Sequence, residues 1–430
     1  MKNIFKNIIG YEDIKKTLTR LIDVLNNKEK YERLGSTIPH GLFIYGEPGT
    51  GKTSFSNAIL DNVTNRKKYT IRKTKSDGDF IKYIETTFTD AIKNQPSIIL
   101  LDDLDKFAKN EKDSYNQEEY VVVQAQLDKI KEKDVFVIAT VNNKKILPDS
   151  LLRSGRFDIK IRIDDPTEED SLKIIDYYLN KKKIDNTVNI NNISQILVGS
   201  SCADLEKVCN QAGLYAGFLN KEKIGMDELV RASLELKYDT NLEDLNKEDK
   251  YSLSVAYHEA GHALIGHLLE PGCISFITIA KNDSATNGMT IYHNNEYYYH
   301  DIDFMINRIK VLLAGKAATE IIYNKCDTGS GSDISRATEI AGRLIDDYAI
   351  YSFNSYVTRT SSNATKQNRD EGISMLLTKY YGEVKALLLS NKELLDAIAI
   401  TLDKNKIMFE KEIEDIFNKK VEETSIWKSI

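Results

Sequence analysis

The chain has 430 residues, 41% hydrophobic and 29% charged, which is too long for one core and apolar enough for two or three domains to bury their own. Its net charge of -6 gives no general attraction to nucleic acid or an anionic membrane, and no stretch approaches the run of about 18 apolar residues that a span needs. The four cysteines, Cys202, Cys209, Cys273 and Cys326, contain no C-x-x-C pair and are too sparse for a disulfide framework, which points to a reducing compartment.

The opening "MKNIFKNIIGYED" has too short an apolar run for a signal peptide, so a cytoplasmic location is expected. Residues 1–165 alternate short β-rich runs with helical patterns, the signature of an α/β domain with a parallel sheet covered on both faces. Its strands are expected at "GLFIYG", "KYTIRK", "SIILLDD", "DVFVIATV" and "IKIRID". The first runs into Gly46-Glu47-Pro48-Gly49-Thr50-Gly51-Lys52-Thr53, which fits G-x-x-x-x-G-K-[ST] between a strand and a helix. Such a loop wraps backbone N–H groups around phosphates, with Lys52 on the terminal phosphates of ATP and Thr53 on Mg²⁺.

"SIILL" ends in Asp102 and Asp103 at the carboxyl edge of the sheet, where Asp102 supports the Mg²⁺ shell and Asp103 polarises the attacking water. "VFVIATVN" ends in Asn142, a polar group able to orient that water. "LLRSGRFD" supplies Arg153 and Arg156, three apart and so on one side of a turn, as candidates for charge stabilisation across a subunit boundary.

Residues 166–240 become helical and read as a small lid, with Cys202 and Cys209 as helical neighbours in its core. A mainly α-helical third domain is expected over 241–420, with short strands at "CISFITIA" and "GMTIYHNN", and a loose tail over 421–430. Its first helix carries "VAYHEAGHALIGHL". His258 and His262 are four apart, so both imidazoles leave one face and can bind one Zn²⁺, with Glu259 beside them as general base. Zinc polarises a scissile carbonyl and acidifies water, so peptide hydrolysis is the natural chemistry. His267 lies well round the helix and reads as an ordinary residue. A third ligand is needed, and Glu320, Cys326, Asp327 and Asp333 are open candidates, Asp333 also reading as a helix cap.

The order of these motifs, with "FKNIIGYEDIKK", "SSCADLEKVCNQAGL", "LLAGKAATEIIY" and "TGSGSDISRAT", resembles the FtsH family of AAA+ zinc metalloproteases over nearly the whole chain. The resemblance implies an ATP-dependent zinc endopeptidase that unfolds and degrades unfolded or tagged proteins in a homohexameric ring. It carries the third zinc ligand onto Asp333, sensor one onto Asn142 and the arginine fingers onto Arg153 and Arg156, and marks "GMTIYH" as an edge strand for substrate addition.

Three features depart from the family pattern. Members usually begin with transmembrane helices, whereas this chain starts near the ATPase domain, so recruitment to a membrane would need an adaptor. The usual Asp-Glu pair is Asp102-Asp103, one methylene shorter, which is expected to slow hydrolysis. The pore-loop region "RKTKSDGDFIKYIETTF" is shorter and aligns Ser76-Asp77-Gly78 with the gripping aromatic motif, leaving Phe80 or Tyr83 as substitutes. Arg72, Lys73 and Lys75 read as a solvated basic loop or as a selector of acidic substrates. The competing reading is a remodelling or holding ATPase with weak or absent proteolysis.

Overall fold

The computed structural model describes residues 4–73, 79–108, 118–153, 155–240, 250–281, 287–293, 301–325, 328–350 and 362–428. Two compact units emerge, one of residues 1–190 and 197–229, the other of 191–196 and 230–430.

In chain order the first half holds α1 (Glu12–Asn26), α2 (Lys28–Glu32), β1 (Gly41–Tyr45), α3 (Lys52–Asn62), β2 (Lys67–Arg72), α4 (Asp79–Lys93) and β3 (Ser97–Asp102). Then come α5 (Glu118–Lys129), β4 (Val135–Val141), β5 (Ile159–Arg162), α6 (Glu168–Leu179), α7 (Ile190–Ile196), α8 (Cys202–Phe218) and α9 (Met226–Tyr238). The five strands lie in the order β2-β3-β4-β1-β5, every pairing parallel, at the five expected stretches. Successive strand side chains face opposite ways. Leu42, Ile44, Ile98, Leu100, Phe136 and Ile138 therefore join Leu18, Phe55 and Ile59 on one face, while Phe43, Ile99, Leu101 and Val137 join Phe88, Val123 and Leu127 on the other. Helices on both faces leave β3 and β4 buried at every residue, as a parallel sheet requires. Each of these side chains contributes about 1.5–3 kcal/mol by leaving water.

The helix α8 starts at a capping box in which Ser201 and Asp204 satisfy each other's backbone N–H groups. Cys209 is buried on it, while Cys202 is only half-buried and lies 3.3 Å from the Tyr11 hydroxyl.

The second half holds α10 (Ser252–Leu269), β6 (Ile274–Lys281), β7 (Asn287–Tyr292), α11 (Ile302–Tyr323), α12 (Gly331–Asp346), α13 (Asn363–Ser390), α14 (Lys392–Asn405), β8 (Ile407–Phe409) and α15 (Glu410–Lys428). From Ala256 to Gly266 the helix α10 is buried on nearly every side, in a cluster with residues of α11, α14 and β6. Its alanines and glycines permit that, because small side chains let neighbouring helices approach from several directions. Beside it β7, β6 and β8 form an antiparallel sheet with β7 at one edge. The sequence reading has only two strands here. The third, β8, is three residues long, too short to display an alternating pattern, and exists through its pairing with β6. Where a loose tail is expected from 421, α15 runs on to Lys428. Among the described residues no helix is long and apolar enough to cross a membrane.

Candidate metal centre and nucleotide site

The helix α10 sets His258 and His262 one turn apart, and the first turn of α12 brings Asp333 to them. The two Nε2 atoms are 3.1 Å apart, and Asp333 Oδ2 lies 3.2 Å from one and 3.3 Å from the other. Zinc with ligands at about 2.0–2.1 Å has tetrahedral edges of about 3.3 Å, so the three atoms match three corners of one tetrahedron. Among the described residues this is the group of His, Cys and acidic side chains able to hold a metal. Gly315 on α11 makes the room: a Cβ there would lie 2.5 Å from His258 Nε2 and 2.6 Å from His262 Nε2. The donor set, two imidazoles and a carboxylate around space that one methyl group would fill, fits zinc.

Supporting contacts fix these side chains. His262 Nδ1 lies 2.7 Å from the Val311 carbonyl, which makes Nδ1 the protonated nitrogen and turns the Nε2 lone pair toward Asp333. Burial alone would raise the Asp333 carboxyl, but the imidazoles of His258 and His262 beside it hold it well below the ordinary value. Glu259 is only 4% exposed, and Thr290 Oγ1 on β7 donates to its Oε2 at 2.7 Å. Burial pushes the Glu259 carboxyl up, against the opposing pull of both histidines and Thr290. A carboxyl with raised pKa beside a metal triangle is suited to taking a proton from water.

Of the other ligand candidates, Glu320 is committed elsewhere. It bonds Lys385 at 2.7 Å and Lys316 at 3.1 Å and accepts from the Tyr381 hydroxyl. Cys326 and Asp327 lie outside the described residues. His267 stacks on Phe417 at 3.9 Å, and burial lowers its pKa.

In the first unit β1 runs into the loop from Gly46, and Gly51 at φ +97° opens α3, a conformation that glycine adopts without strain. Lys52 folds back on its own loop, donating to the carbonyls of Gly46 (2.8 Å) and Glu47 (2.6 Å), and burial lowers its pKa. Thr50 Oγ1 donates to the Glu47 carbonyl, and Thr53 is exposed in the first turn of α3. Asp102, at the end of β3, accepts from Thr140 Oγ1 at 2.8 Å, and that hydroxyl accepts from the Asp103 N–H at 2.8 Å. Asp103 adopts φ +55°, and its carboxylate accepts from Asn142 (3.3 Å) and Lys106 (2.8 Å). Burial raises its pKa, but Lys106, Arg72 and Asn142 more than offset this, so the net shift is downward.

Thr140 is the residue that sequence reasoning missed here. Its only signal is a hydroxyl inside the otherwise apolar "VFVIATV".

The two arginines part company. Arg153 is exposed, whereas Arg156 is clamped to Asp128 through Nε at 3.1 Å and Nη2 at 2.8 Å, with Nη1 on the Ser150 carbonyl. Of the pore-loop residues, Lys75, Ser76, Asp77 and Gly78 lie outside the described residues. Phe80 is not an exposed grip: it packs on Phe107 with ring centroids 5.0 Å apart. Tyr83 is exposed, its hydroxyl donating to the Thr70 carbonyl at 3.0 Å. Nor is Lys73 solvated, since its side chain is 9% exposed and pairs with Glu119 at 2.8 Å.

Comparison with known proteins finds a family match in each half of the chain. Residues 42–165 match the ATPase family associated with various cellular activities (AAA), and residues 245–416 match peptidase family M41. The chain is 29% identical over 425 residues to the ATP-dependent zinc metalloprotease FtsH 2 of Thermoanaerobacter sp. (strain X514), covering 96% of this chain and 82% of that protein. It is 28% identical over 445 residues to the ATP-dependent zinc metalloprotease FtsH of Thermus thermophilus, and 27% identical over 450 residues to that of Bacillus subtilis, covering 96% of this chain and 70% of each relative. With an AAA module, an M41 module and relatives matched along 96% of its length, the chain belongs to the FtsH family of zinc metalloproteases.

Proposed function

We propose that this chain is an ATP-dependent zinc endopeptidase that works as a homohexameric ring, residues 1–165 and the lid at 166–240 driving unfolded or tagged proteins to the peptidase domain at 241–420. The observation that carries the reading is the triangle of His258, His262 and Asp333 with edges of 3.1–3.3 Å beside a buried Glu259.

Zinc, when bound, supplies Lewis acidity that polarises a peptide carbonyl and acidifies water. Glu259 takes the proton of the attacking water and returns it to the departing amine, while Thr290 keeps one carboxylate oxygen fixed so that the other faces the reaction. The edge strand β7 offers its backbone to an extended substrate. In the ATPase half, Mg²⁺-ATP supplies the free energy for unfolding. The backbone of Gly46, Glu47, Pro48, Gly49, Thr50 and Gly51 cradles its phosphates, and Lys52 leaves the loop carbonyls to pair with them. Thr53 and Asp102 serve Mg²⁺, Asp103 and Asn142 orient the hydrolytic water, and Arg153 reaches the neighbouring protomer. Arg156 holds the finger segment in place through Asp128.

Degradation of a fluorescent casein by the zinc-loaded full chain tests this directly. ATP-stimulated cleavage that falls roughly 100-fold or more in Glu259→Gln is the expected result. Cleavage retained in that variant would overturn the assignment of the base.

A further inference from the structure

A cavity of about 460 Å³ opens beside the metal triangle, and three of its wall residues touch the catalytic groups. Thr290 bonds Glu259, the Val311 carbonyl accepts from His262, and the Tyr292 hydroxyl lies 3.4 Å from the His262 carbonyl. A peptide extended along β7 with its cut at Glu259 would thus direct a side chain next to the scissile bond into this cavity. Leu269, Ile291 and Phe304 give it apolar walls. Its cation is Arg308, half-buried, with the guanidinium 5.0 Å over the Tyr292 ring. Among the described residues no carboxylate lies within 4.0 Å of that guanidinium. The other ionisable walls are Glu270, Cys273, Tyr292 and His293; burial raises the Cys273 thiol and the Tyr292 hydroxyl, so both stay neutral, and His293 is already 3.2 Å from Glu410.

A guanidinium set against an aromatic face, partly desolvated and lacking an anionic partner among the described residues, presents a planar fork matched to a carboxylate. Resting on the peptidase reading above, we propose that Arg308 is a specificity-determining residue and that this cavity takes the acidic side chain, Asp or Glu, of a substrate residue flanking the cut. The stack on Tyr292 orients the fork, and the apolar walls hold the aliphatic stem of the substrate side chain.

The test digests a randomised, C-terminally amidated peptide library with the zinc-loaded full chain and ATP, reading cleavage positions by mass spectrometry. In parallel, fluorescence anisotropy measures labelled acidic, amide and basic peptides on the Glu259→Gln protein. Acidic residues should be enriched over basic ones roughly tenfold at one flanking position, the scale of one charge-assisted hydrogen bond. Arg308→Glu should invert that preference, and Arg308→Lys should keep its sign. The same order should appear in binding. An unchanged profile in Arg308→Glu, or a uniform drop for every peptide, would overturn the proposal and leave Arg308 a structural prop for Tyr292. If no peptide is cleaved by the unmutated chain, the peptidase reading fails, and the anisotropy series by itself decides the subsite.

Discussion

At Gly315 a methyl group would stand 2.5 Å and 2.6 Å from the two ligand nitrogens, so alanine there must drive the imidazoles off the zinc position. Alanine is also the better helix former by about 1 kcal/mol, so α11 itself would not suffer. Gly315→Ala should therefore keep the thermal stability of the metal-free protein while zinc content, read by elemental analysis, falls well below one per chain. Stoichiometric zinc in that variant would contradict the geometry. The histidine pair was legible from its spacing because both residues lie on one helix. Gly315 was not, since its role consists of space left for residues more than fifty positions earlier, and Thr290 carried no signal beyond a polar residue in a short strand.

At the scale of elements, Glu320 on α11 joins Lys316 of its own helix to Lys385 and Tyr381 of α13. Lys385, Tyr381 and Lys316 together pull its carboxyl down to about 2. Because the folded pKa lies below the ordinary 4.5, the clamp stabilises fully above that pH and is lost as pH falls toward 2. With the side chains a quarter to a third exposed, solvent screening leaves about 1 kcal/mol. Glu320→Gln should lower the midpoint of thermal unfolding at pH 7 and converge on the parent near pH 2; a constant difference across that range would refute the linkage. A second contrast concerns the arginines. Arg153→Ala should depress ATP hydrolysis with no change in unfolding temperature, whereas Arg156→Ala should depress both, because Arg156 also anchors Asp128 and the Ser150 carbonyl. Equal behaviour in the two assays would remove the distinction. The sequence reading grouped both arginines by spacing, and only the Asp128 carboxylate, twenty-eight positions away, separates them.

For the whole molecule, a coupled machine and two independent enzymes predict different results from one substitution. Lys52→Ala removes the ammonium proposed to bind the phosphates and should abolish degradation of a folded protein while a short unstructured peptide is still cleaved at the proposed metal centre. Loss of both activities would mean that the peptidase half depends on nucleotide for its own structure. Survival of both would sink the coupling.

The sequence by itself determined the α/β class, the five strands, the phosphate loop and the histidine pair, because each is written in local periodicity or in fixed spacing within one element. Tertiary structure decided what spacing cannot encode. It brought Asp333 to the histidines from another helix, set Asn142 and Thr140 on the acidic pair from the adjacent strand, and turned Glu320 away into a lysine clamp. It also stacked Arg308 over Tyr292, whose hydroxyl lies by the His262 carbonyl. The physical reason is common to all four: a side chain's partners across elements depend on how helices and strands pack, and that packing is a property of the whole core rather than of any window of the chain.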